Sequence, residues 1–75
     1  MKQVTLQAID CLNKKCSGRL HRQDGSPEAF FLIKSVNETA DQLVFLRKNN
    51  ASEIVVALSD ISHVARDHPR PQVFQ

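Results

Sequence analysis

No tryptophan and no tyrosine occur among these 75 residues, and the four phenylalanines are the whole of the Phe, Trp and Tyr content. The large amphipathic anchors of binding hot spots are therefore missing, which argues against a deep, tight protein interface. Most of the aromatic platforms on which single-stranded bases stack are missing with them. Gly18 and Gly25 are the only glycines, so no glycine-rich phosphate loop exists. Cys11 and Cys16 are the only cysteines, and with His21 they match no zinc ribbon or finger spacing. A bridge between them would close a very short loop and stabilise little. No stretch approaches the roughly 18 apolar residues of a membrane span, and the N-terminal residues lack a long apolar run. These features predict a cytoplasmic chain with reduced thiols and no membrane association.

What is present is enough apolar residue, 41%, to build a compact core. The length allows one domain near the lower limit for a core without staples. Residues 1–69 are expected to form that domain. Pro69 and Pro71 end regular structure, so residues 70–75 read as a loose tail.

The apolar pattern is mostly that of strands. Val4, Leu6 and Ala8 alternate with Thr5, Gln7 and Ile9, which suggests a first strand, with residues 10–15 as a connection. From Ser17 to Gln23 the period is two again, with Cys16, Gly18 and Leu20 on the inner side. Asp24-Gly25-Ser26-Pro27 is the strongest turn signal: Gly tolerates positive φ, Asp bonds its own backbone, and Pro27 belongs at the loop end. Three apolar runs follow, at Phe30–Ile33, Leu43–Leu46 and Ile54–Leu58. Such runs fit strands buried on both sides, or bent strands that feed a core from successive faces. A closing strand spans Ser62 to Arg66. Thr39-Ala40-Asp41-Gln42 also fits a capping box, so a helix over 40–48 competes with a strand there. Val44, Phe45 and the Asn49-Asn50 turn favour the strand. The expected fold is mainly β: a small SH3-like or Sm-like barrel of five or six short antiparallel strands. An open sheet with one helix is the alternative.

Chemistry-bearing residues are sparse. Cys16, His21 and Asp24 could be arranged as a nucleophile–base–acid set, but a barrel this small has little room for a pocket that excludes water. His63 or His68 would be needed to complete any metal set. No catalytic residue, metal or cofactor is expected. Binding is the remaining option. Net charge is only +2, which excludes a highly charged nucleic-acid arm. Its distribution is uneven: Lys14, Lys15, Arg19, His21 and Arg22 form an acid-free cluster, and Arg66 lies in a second basic stretch. With Arg47 and Lys48, these eight residues are the candidate contacts for nucleic-acid phosphates or for a partner. Asn49-Asn50 suits a turn and, less directly, base reading. Exposed edge strands offer the other route, pairing with a partner strand or a second copy of the chain.

The segment Leu20 to Pro71 resembles bacterial Sm-like barrels, of the kind formed by Hfq and by the Rho inhibitor Rof. The resemblance runs through Leu20, the Asp24-Gly25 hairpin, Phe31-Leu32-Ile33-Lys34-Ser35-Val36-Asn37, Gln42 to Asn49, Glu53-Ile54-Val55-Val56, Leu58 to Ile61, and His68-Pro69. Val56-Ala57-Leu58 stands near the place of the Hfq Lys-His signature, so no uridine-binding residue is carried over. The resemblance implies a bacterial, non-catalytic module that binds RNA or a protein of the transcription machinery. A protein-interaction adaptor acting through an edge strand is the alternative.

Overall fold

The computed structural model describes residues 2–67, and the expected tail at 70–75 lies outside them. The described residues form one helix, α1 (Gln3–Lys14), and five strands: β1 (Gly18–Arg22), β2 (Pro27–Asn37), β3 (Gln42–Arg47), β4 (Glu53–Val56) and β5 (Ile61–Arg66). A short 3-10 turn, Leu58–Asp60, precedes β5. The strands make one antiparallel sheet in the order β4-β3-β2-β1-β5. The mainly β expectation holds. The ladder leaves β4 and β5 as edges, so the observed architecture is an open, bent sheet with one helix.

The N-terminal segment is the main correction. Residues 4–9 are helical, and the expected connection at 10–15 is the end of the same helix. Thr5, Ala8 and Cys11 are buried, and Val4 and Leu12 pack beside them. That spacing is one face of a 3.6-residue helix. The helix ends at Lys15 in the left-handed conformation (φ 54°), whose backbone N–H closes on Cys11 and Leu12 carbonyls. Its start is held by Glu38, which accepts Lys2 N–H at 3.1 Å and the buried Thr5 hydroxyl at 2.8 Å. Gln7 Oε1 accepts Val64 N–H at 2.9 Å and ties the helix to β5.

The long strand β2 explains how an apolar run can bend around a core. Its register against β3 shifts between Phe30 and Leu32, and again between Ile33 and Ser35. Each shift resets the alternation, since one extra residue moves the following side chains to the other face. Phe30, Ile33 and Val36, three apart, therefore all point inward. Phe30 and Phe45 are fully buried and meet edge to face, with ring centroids 6.5 Å apart. Burying each contributes about 2–3 kcal/mol.

The turns follow their chemistry. Gly25 takes φ 89°, and Asp24 Oδ1 accepts Ser26 N–H at 2.9 Å and its hydroxyl at 2.7 Å. Residues 38–41 form a turn and 42–47 a strand, which decides the competition between capping box and strand. Asn50 Oδ1 accepts Ser52 N–H at 3.0 Å, so Asn50 acts as a turn residue. Asp41 ties its turn to the 3-10 turn, accepting Ser59 N–H at 2.9 Å and the Ser59 hydroxyl at 2.6 Å. Gly18 sits where β1 meets β5. A Cβ there would lie 2.7 Å from Arg66 Cα, a contact with backbone that nothing flexible can relieve.

Candidate functional site

Seven of the eight candidate residues divide into two groups by position. The first group gathers where α1, β1, β3 and β5 end. Gly18 of β1 stands opposite Arg66 of β5. Lys14 Nζ and Arg66 Nη1 each reach Asp10 at 3.1 Å, so the two basic stretches, far apart in sequence, share one carboxylate. Lys48 Nζ, just past β3, lies 3.7 Å from Asp67, just past β5. Ser17 donates its hydroxyl to the same Asp67 carboxylate at 2.8 Å. Lys15 is exposed at the helix terminus, and Arg19 projects from β1 one residue beyond Gly18. Neither Lys15 nor Arg19 has an ion-pair partner among the described residues. Among the described residues, five cations here face two carboxylates, Asp10 and Asp67.

The second group is balanced. Arg22 lies 3.5 Å from Glu28 and 3.3 Å from Asp60, and Arg47 lies 3.7 Å from the other Glu28 oxygen. Two arginines and two carboxylates join β1, β2, β3 and the 3-10 turn. Their charges are spent on one another, so these arginines brace the sheet.

His21 belongs to neither group. It stands opposite His63, and the two imidazoles stack with centroids 4.2 Å apart and planes 11° from parallel. Neither His63 nor Phe31 is one of the eight candidate contacts. Phe31 is the extra residue at the first register shift of β2, and it is 57% exposed. Adjacent Phe30 and Phe31 carried the signal, because alternation sends one of two neighbours outward.

The nucleophile–base–acid set does not assemble. Asp24 is engaged by Ser26, His21 by His63, and Cys16 Sγ approaches its neighbour's carbonyl, Lys14 O, at 3.7 Å. Among the described residues no three His, Cys, Asp or Glu side chains gather as a metal set, and no cavity forms. Cys11 and Cys16 are both free. Burial pushes the Cys11 thiol up, with the neighbouring Cys16 adding to it. That thiol acts as a small core hydrophobe. Three carboxyls are held below their ordinary values by hydrogen bonds: Glu38 chiefly by the Thr5 hydroxyl, Asp41 by the Ser59 hydroxyl, and Asp24 by the Ser26 hydroxyl. All three are structural ties.

The sheet edges also differ. Gln7 engages the backbone of β5, whereas β4 presents Val55, 56% exposed. Among the described residues no helix is long and apolar enough to cross a membrane. No protein-family model, curated protein or solved structure matches this chain.

Proposed function

We propose that this chain is a non-catalytic binding module of the Sm-like kind, an RNA-binding or transcription-machinery-binding regulator, with RNA as the first partner to test. One observation carries the reading. Lys14, Lys15, Arg19, Lys48 and Arg66, drawn from four elements, converge at one end with only Asp10 and Asp67 against them among the described residues. A localised excess of lysine and arginine is the electrostatic footprint of a phosphate backbone. The order of hairpin, long bent strand, apolar strand and closing strand supports the Sm-like comparison. Fold by itself names no ligand, so the charge distribution bears the weight.

Fluorescence anisotropy with short labelled RNAs tests this. Binding at low salt that weakens steeply as salt rises is the expected result, because bound phosphates release counterions. No binding at low salt, or binding that ignores salt, overturns it.

A second reading is an adaptor that pairs through a sheet edge. The exposed Val55 on edge strand β4 favours it, since bare edges template pairing. Sedimentation that shows self-association, abolished by Val55→Lys, would support this reading. A monomer at all concentrations would remove self-association.

A further inference from the structure

We propose that the outer face of β5, β1 and β2 is a stacking platform for single-stranded RNA, centred on Arg19 and bounded by Phe31 and the His21–His63 pair. This deepens the RNA-binding reading and rests on it. The register sets the layout. Arg19 stands opposite Ala65 on one side and Ala29 on the other. Gly18, Leu20 and Phe30 are buried, so alternation places Arg19, His21 and Ala29 on the outer face. Phe31 follows two residues along β2 from Ala29, diagonal to Arg19 and within reach of a long side chain. His21 follows two residues along β1 from Arg19.

Three features of this face fit a single strand of bases. First, it carries rings that reach solvent: Phe31 and His63 are exposed and His21 is half-buried. The imidazoles lie parallel at 4.2 Å, and a nucleobase stacked on the exposed His63 would extend the pair. Phe31 is presented by a bulge, a device that re-aims a side chain out of its ladder. Base–aromatic stacking tolerates any sequence, because every base has a π face. Second, Arg19 is a cation with no ion-pair partner among the described residues, flanked by two alanines too short to cover it. Its guanidinium is available to a phosphate, or to a base edge between the two aromatic ends. Third, the carboxylate of Asp67, at the border of the face, is already engaged by Ser17 and Lys48. Lys14, Lys15, Lys48 and Arg66 lie at the adjoining end and would carry the backbone onward. A protein partner would need apolar bulk at the centre of the face, where this one has two alanines and an arginine.

The test uses the whole chain and a short fluorescein-labelled oligouridylate at low salt, with an RNA duplex of equal length as the control. Phe31→Ala and Arg19→Ala remove exposed groups, and circular dichroism checks that each variant folds. Phe31→Ala is expected to weaken single-strand binding about tenfold, the size of one lost base stack, and Arg19→Ala to weaken it about as much through its lost phosphate or base-edge contact. Wild type is expected to prefer the single strand over the duplex. Phe31→Trp supplies a direct readout with unlabelled oligouridylate, since the natural chain has no tryptophan. It should bind like wild type, and its indole emission should be quenched by the RNA. If wild type binds but Phe31→Ala and Arg19→Ala bind equally well, while Lys48→Ala does not, the platform is wrong and the RNA reading survives. Equal affinity for duplex, or indole emission from the Phe31→Trp variant that stays unquenched when RNA is bound, also overturns the platform. If wild type does not bind RNA at all, both readings fall and a protein partner takes their place.

Discussion

Arg22 and Arg47 differ from Lys15 and Arg19 in one respect that the sequence does not display: what stands next to them. The first pair shares Glu28, and Arg22 also pairs with Asp60, so the set spans four elements. The second pair has no carboxylate partner among the described residues. The same residue types are paired across the sheet in one place and left without an ion-pair partner in the other. A count of basic residues therefore overstates a binding surface, and an acid-free stretch of sequence need not be acid-free in space.

Gly18→Ala should break the comparison outright, because Gly18 is where β1 and β5 close on each other. Forcing a methyl into that backbone contact costs about 1–3 kcal/mol or more. For a chain this size each kcal/mol lowers Tm by roughly 4–8 °C. On that scale a melt followed by circular dichroism should fall by about 10 °C, and RNA binding should fall with it. An unchanged Tm would mean the strands lie further apart than described.

Glu28→Gln against Asp67→Asn separates the two groups. Glu28→Gln leaves Arg22 and Arg47 without their shared partner and should cost about 1 kcal/mol, the upper range for exposed pairs, because the site is only partly exposed. RNA affinity should not fall. Asp67→Asn should leave Tm nearly unchanged and tighten RNA binding a few-fold by freeing Lys48. Reversed effects would exchange the roles of the two ends.

Acid unfolding should be governed by groups outside both ends. Glu38 and Asp41 have folded-state pKa values below their unfolded ones. Their contribution is therefore present above the unfolded values and is lost as pH falls through the folded ones. Tm should hold from neutral pH down to the ordinary carboxylate range and decline below it. Glu38→Gln and Asp41→Asn should flatten that decline. A decline unaffected by both variants would place the acid-sensitive ties elsewhere.

Much of the sheet was readable from the chain because its signals are local. The Asp24-Gly25 turn, the alternation at β1 and the apolar runs of β2 and β3 each act within a few residues. The helix α1 was misread because Val4 and Ala8 satisfy both a two-residue and a 3.6-residue period over so short a window. Its buried face also carries Thr5 and Cys11, which an apolar count underweights. The continuous apolar run Phe30–Ile33 conceals which of its residues face outward, because the register shift lets Phe30 and Ile33 both face inward. The pairing of Lys14 and Arg66 through Asp10 depends on α1 packing against β5, a contact across most of the chain that no local pattern encodes.

The salt dependence of RNA binding tests the division of charge most directly. Each phosphate contact on a single strand contributes about 0.7 to the slope of log affinity against log salt. Lys15→Ala combined with Lys48→Ala should flatten that slope by about 1.4, two such contacts. Arg22→Ala combined with Arg47→Ala should leave it unchanged in protein that remains folded. Equal flattening by the two double variants, or none by the first, would contradict the account.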